Sequence, residues 1–179
     1  MFIFGLSIFF ILLFIILFSA QETATGSDEI VVATTLTVPF SKGTYYNISS
    51  EFGIRRDPFN YDKKFHSGTD LSTSCGTPVL ASGNGIVVDT GKIPDGLGNY
   101  VYIKHEFDNK IIFTAYGHLL DNSIMVYKNQ IVKQGDQIAS VGSTGRSTGC
   151  HLHFMIMNGK ISHQYQDLIN PRFVVTGLK

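Results

Sequence analysis

The sequence predicts an all-β domain, a compact antiparallel sheet closed into a barrel-like sandwich, preceded by one hydrophobic helix at the amino terminus. Three observations carry this expectation. From Thr37 to Thr176 the chain runs in short β-branched and aromatic stretches broken by Gly, Asn and Asp. Its 179 residues include 18 Gly, 8 Tyr and 14 Phe, a composition suited to strands joined by tight turns. Beyond the first segment, no window of eleven or more residues carries a clean helical period.

Residues 1–18, MFIFGLSIFFILLFIILF, are apolar apart from Gly5 and Ser7. A helix of that length spans roughly 27 Å, close to a bilayer core of about 30 Å. The segment reads either as a signal peptide over residues 1–20 or as a retained membrane anchor. Ala20 in FSAQ offers a cleavage position, but bulky Phe18 stands where a small residue is preferred, and no Lys or Arg precedes the run. The first cation is Lys42, so charge bias sets no orientation. Both readings export the remainder to an extracytoplasmic location, with membrane contact through residues 1–18 if the segment stays. Residues 21–36 read as a linker, polar at first and β-branched at its end, reaching about 50 Å when extended.

The domain then spans residues 37–176. TPVLAS and GIVVDTG flank Gly83–Asn84, a hairpin signal. NYVYIKHEF turns at Asp108–Asn109 into KIIFTAYGHL, and IVKQGDQIASVG reads as strand, Gly–Asp turn, strand. Net charge is +0 and charged residues are 16%, so no basic face is implied and nucleic acid is not the expected partner. Two cysteines, Cys75 and Cys150, are either two buried thiols or, in an exported chain, a disulfide. The bridge would close a loop of about 75 residues, worth about 4 kcal/mol in the chain-entropy model.

The chemistry concentrates in the histidines. GCHLHFMI places His151 and His153 two residues apart, hence on one face of a strand. FHSGTD sets His66 four residues before Asp70, in a loop running into a strand, and AYGHL adds His118. A hydrolytic zinc site needs three protein ligands with an open fourth position, a proton acceptor and a stabiliser of the oxyanion. Four histidines and one aspartate can fill those five roles.

In order and wording, these segments resemble the lysostaphin/LytM-type zinc endopeptidases, which cut peptide bonds in bacterial peptidoglycan. The resemblance runs from NISSEFGIRRDPF through FHSGTDLSTSCGTPVLASGNGIVV, GLGNYVYIKH, TAYGHL and VKQGDQIASVGSTGRSTGCHLHF to INPRF. It implies a compact antiparallel β domain with a substrate groove. It implies one Zn2+ per chain on His66, Asp70 and His153, with His118 and His151 as catalytic residues that do not bind the metal. The activity implied is hydrolysis of peptidoglycan peptides by a zinc-bound water. Cys75 and Cys150 then flank the metal motifs, and a disulfide between them is expected.

Some features depart from that pattern or stand outside it. Many family members carry an acidic residue after HLHF; Met155 stands there, a change assigned to substrate contacts. His105 reads as a strand histidine capping a turn, and His163 as solvent-facing. Arg55 and Arg56 fall in a loop, solvated or touching substrate carboxylates. Tyr116 either lines the groove or packs. GSTGRSTG has no Walker lysine, so its glycines serve turns or close backbone approach rather than phosphate. Two other functions compete: a catalytically silent binding module on the same fold, and a carrier domain. The carrier needs a modifiable lysine at a hairpin tip, where Gly83–Asn84 stands instead.

Overall fold

A computed structural model describes residues 35–107 and 109–178. The apolar segment 1–18, its cleavage position and residues 21–34 of the linker lie outside the described residues. Fourteen strands follow in chain order: β1 (Leu36–Thr37), β2 (Asn47–Ser50), β3 (Gly53–Arg56), β4 (Lys63–His66), β5 (Thr69–Ser72), β6 (Pro78–Leu80) and β7 (Gly85–Ile93) come first. They continue with β8 (Gly98–Phe107), β9 (Lys110–Leu119), β10 (Ile131–Val132), β11 (Gln137–Ser140), β12 (His151–Asn158), β13 (Leu168–Ile169) and β14 (Val175–Thr176). Two short 3-10 helices, Tyr165–Asp167 and Pro171–Phe173, complete the secondary structure, with no α-helix among the described residues. The all-β expectation holds.

The main sheet runs β10-β7-β8-β9-β12-β5-β2, with β13 added to β12, and every pairing in it is antiparallel. Strand alternation gives the sheet two different faces. On β12, Leu152, Phe154 and Ile156 enter the large core together with Leu71, Val101, Ile103 and Tyr116. Val79 and Ile138, from the separate β6–β11 pair, close that core from the other side. The opposite face of β12 carries Met155 and Met157, which pack with Leu97, Tyr102 and Ala115 in a smaller cluster. His151 and His153 belong to this second face by their odd numbers. Isolated bridges from Leu119 to Val141 and from Gly142 to His151 tie the end of β11 to the main sheet.

Several local expectations give way to tertiary pairing. The β8–β9 hairpin forms, Phe107 facing Lys110. TPVLAS and GIVVDTG do not form one: β6 pairs with β11, while β7 pairs with β8 and β10. The two strands of IVKQGDQIASVG likewise part company across their turn, β10 joining the main sheet and β11 the smaller one. In both cases burial of Val79, Ile138 and Ala139 outweighs the local turn signal. Arg55 and Arg56 are in a strand, not a loop, because β3 pairs residue for residue with β4. Leu36, the last residue of the expected linker, opens β1 and is 3% exposed, in the core. At the other end the domain runs past residue 176, since Leu178 packs on the core and Tyr46 Oη donates to the Gly177 carbonyl.

Candidate metal centre and groove

Strand register assembles three distant residues. His153 on β12 lies directly opposite Asp70 on β5, so their side chains leave the sheet on one face. His66 ends β4 and reaches the same point because Ser67 and Gly68 turn the chain tightly over β12. A Cβ at Gly68 would lie 2.5 Å from the Phe154 carbonyl oxygen, so only glycine permits that approach. The expected loop at FHSGTD is thus two residues between two strands. His66 Nε2 is 3.1 Å from Asp70 Oδ1 and 3.1 Å from His153 Nδ1, and His153 Nδ1 is 2.8 Å from Asp70 Oδ1. All three residues are 6% exposed.

The donor chemistry fits a divalent cation. His66 Nδ1–H donates to the Glu51 carbonyl at 2.7 Å, which leaves Nε2 as a bare lone pair. That lone pair faces an ionised carboxylate oxygen and a second ring nitrogen, His153 Nδ1. A proton can satisfy only one edge of such a triangle, whereas a cation at its centre satisfies all three corners. Tetrahedral zinc, with bonds of about 2.0–2.1 Å, sets neighbouring donors about 3.3 Å apart, near the observed edges. Burial acts to raise the Asp70 carboxyl, but the neighbouring His153 and His66 outweigh it and hold it well below the usual carboxylate range. Burial pushes the His153 imidazole down, against the pull of Asp70. Arg55 Nη2 stands 3.7 Å from Asp70 Oδ2, the carboxylate oxygen turned away from the other two donors.

His118 and His151 stand beside the triad. Their ring centroids are 4.7 Å apart, and His118 is 5.7 Å from His153. His151 follows from alternation on β12. His118 does not, because Tyr116 points into the large core and His118, two residues on, would follow it. The β8–β9 register shifts between Asn99 and Val101, and His118 takes φ 59°, so a β-bulge re-aims the ring. His118 Nδ1–H donates to the Thr144 carbonyl at 2.7 Å, and His151 Nδ1–H donates to the Gly149 carbonyl at 2.9 Å. Burial, then the neighbouring His153 and His151, push the His118 imidazole down to about 4, so it is neutral at pH 7. His151 Nε2 lies 3.6 Å from Asp70 Oδ1.

A groove of about 570 Å³ opens over these five residues, walled by Arg55, Phe59, Leu97 and Arg146 among others. His163 also borders it and is exposed, as expected. Residues 64–168 match the model of Peptidase family M23.

The chain belongs to peptidase family M23.

Its M23 domain is similar to solved structures. A zinc containing peptidase from Vibrio cholerae superposes with a TM-score of 0.62 at 36% identity, covering 76% of this chain and 39% of that one. The catalytic domain of the antimicrobial peptidase lysostaphin from Staphylococcus simulans gives 0.62 at 31% identity, covering 71% and 90%. Among curated relatives, the peptidoglycan DD-endopeptidase ShyB of Vibrio cholerae serotype O1 is 42% identical over 114 residues, 63% of this chain and 25% of the relative. The DD-carboxypeptidase/endopeptidase Mpg of Neisseria meningitidis serogroup B is 41% identical over 110 residues, 62% and 24%. The M23 chain therefore spans about a quarter of the length of these two relatives.

All five sequence-predicted site residues, His66, Asp70, His118, His151 and His153, meet in this groove, and Cys75 is bonded to Cys150. His105 stays outside it, its Nδ1–H donating to the Asn84 carbonyl at 2.8 Å. Tyr116 packs in the core instead of lining the groove, its hydroxyl accepting from the Ser82 N–H at 2.9 Å. Met155 needs correction. It is 0% exposed and 3.6 Å from the Ser67 hydroxyl, beneath the His66–Asp70 turn, so it packs under the centre and does not line the groove. Sequence reasoning missed the backbone carbonyls of Glu51, Thr144 and Gly149, which accept from His66, His118 and His151. The only advance signals were the glycines of GSTGRSTG.

Proposed function

We propose that this chain is an exported, zinc-dependent endopeptidase that hydrolyses peptide bonds in bacterial cell-wall peptidoglycan. One observation carries the reading: three donor atoms of His66, Asp70 and His153 lie within 3.1 Å of one another, beside two histidines whose Nδ1 protons are already committed. In this reading those three residues hold one Zn2+ per chain. Bound zinc supplies Lewis acidity, which activates water and polarises the scissile carbonyl. His118 and His151 are the catalytic residues, and both work through Nε2. A neutral Nε2 accepts the proton of the attacking water and returns it to the departing amine; a protonated Nε2 donates to the oxyanion. His118, held neutral by burial, suits the accepting role.

Similarity to the DD-endopeptidase ShyB and the DD-carboxypeptidase/endopeptidase Mpg favours the D,D cross-link as the bond cleaved. Residues 1–18 direct export in this reading, removed as a signal peptide or kept as a membrane contact, and the domain works on the extracytoplasmic side. Incubation of the full chain with purified peptidoglycan, followed by mass spectrometry of the muropeptides, tests the proposal. Cross-linked dimers should give way to monomers, the activity should disappear with chelator, and about one zinc per chain should return with it. A chain that holds zinc and binds peptidoglycan but releases no fragment is the silent module, and the hydrolase reading fails.

A further inference from the structure

The two carbonyls that fix the histidine pair belong to a single loop. Thr144 accepts from His118 and Gly149 accepts from His151, with Arg146 between them. The base of the loop is tied down: Arg146 N–H donates to the Gly96 carbonyl at 2.9 Å, and the Thr144 hydroxyl donates to the Leu119 carbonyl at 2.7 Å. The Arg146 side chain leaves the loop for the β3–β4 connection. Its Nη2 lies 2.7 Å from Asp57 Oδ1, and its guanidinium sits 4.1 Å over the Phe59 ring. Asp57 is only 4% exposed; it also accepts the Phe59 N–H at 2.9 Å and lies 3.5 Å from Lys64 Nζ. This contact joins elements 89 residues apart in sequence.

We propose that Asp57 and Arg146 form a clasp that positions the catalytic histidines. Arg146 pins the loop whose carbonyls set the tautomer and aim of His118 and His151. Both clasp residues are positioning residues, since each acts through the loop and not on the reacting atoms. The inference rests on the hydrolase reading above. Asp57 is buried, so losing its partner also costs stability, and it is the effect on rate that separates the clasp from a purely structural pair. Misplacing a catalytic group by about 1 Å costs on the order of 100-fold.

The test uses the full zinc-loaded chain and the variants Arg146→Met, which keeps the stem, and Asp57→Asn, which keeps an acceptor for Phe59. Each should lower kcat about 10- to 100-fold while KM stays within about twofold and zinc content is unchanged. The double variant should be no slower than the worse single, because both break one contact. Arg146→Lys should recover part of the rate. By NMR, the hydrogen-bonded Nδ1–H protons of His118 and His151 should exchange faster with solvent in the variants. Unchanged kcat, a loss confined to KM, additive effects or unaltered Nδ1–H exchange would each overturn the clasp. Should Asp57→Asn fail to fold, Arg146→Met on its half-exposed side chain carries the test alone. If the wild-type chain releases no peptide, the hydrolase reading falls, and the exchange rates still decide the clasp.

Discussion

The two halves of the groove are held by opposite means. His66, Asp70 and His153 stand on β4, β5 and β12, where direct pairing of His153 with Asp70 fixes them without help from any long loop. His118 and His151 stand at strand ends and take their final aim from the carbonyls of Thr144 and Gly149. Strand register is stiff and leaves ligand atoms near their bonding distances. A loop-held pair can adjust as charge develops on a substrate. On the function proposed above, the first half holds the metal and the second drives turnover.

The largest effect should come from breaking the first half. Asp70→Ala removes the only carboxylate among the three donors and leaves two buried imidazoles without it. Zinc affinity should fall more than the 10- to 100-fold typical of losing an outer partner, and activity should vanish with the metal. Equilibrium competition with a chromophoric chelator measures the first, and muropeptide release the second. Retention of stoichiometric zinc by the variant would place the centre elsewhere.

The second half should fail differently. His118→Ala and His151→Ala each remove one Nε2 from the groove and none of the three donors. Zinc content should be unchanged, with kcat reduced by roughly 10²- to 10⁴-fold, the usual worth of a positioned acid or base. Metal analysis beside steady-state kinetics on the same preparations makes the split visible. If either variant loses zinc in step with activity, the division between halves is wrong.

The sequence made the two halves legible in the same way. Strand alternation put His151 and His153 on one face without choosing between them, and FHSGTD read only as a loop, so the triad as a set came from family resemblance. His118 was likewise legible only through that resemblance. Alternation from Tyr116 sends it to the core, and the bulge that turns it outward arises from the offset of β8 against β9. Asp57 and Arg146 carried no local signal at all, since their bond depends on where two loops 89 residues apart come to rest. The hairpin expected at Gly83–Asn84 fails to form for the same reason. That turn signal is real, but β6 gains more by pairing with β11 over the core than by folding back on β7.

Between the halves lies the Cys75–Cys150 bridge. Cys75 follows β5, which carries Asp70, and Cys150 closes the loop that carries Arg146. Its sequence separation is 75 residues, for which chain entropy gives about 4 kcal/mol as an upper figure. In a domain of this size, that corresponds to a fall of about 10 °C in Tm on reduction or in Cys75→Ser/Cys150→Ser. Thermal unfolding with and without reductant checks it. Zinc affinity should move less than kcat, because the bridge restrains the loop half more than the paired strands. An equal loss of both would show that the halves are not independent.

The smallest effect concerns His105, a histidine in neither half. It is 0% exposed, with Nδ1–H donating to the Asn84 carbonyl and Nε2 2.8 Å from the Thr114 hydroxyl. Burial pushes its imidazole below the ordinary value of 6.5, against the weaker pull of the Asn84 carbonyl. The unfolded chain therefore binds a proton near pH 6.5 that the folded chain still refuses, and stability must fall as pH drops through that range. The contribution is complete above pH 6.5 and declines below it. His105→Gln loses packing and is less stable at pH 7, but its stability should decline less steeply with acid. Metal release in acid is common to both proteins and cancels from the difference. The gap in Tm between wild type and His105→Gln should accordingly narrow between pH 7 and pH 5. A gap that stays constant would mean that His105 takes up its proton in the fold, and that its buried setting does not exclude charge.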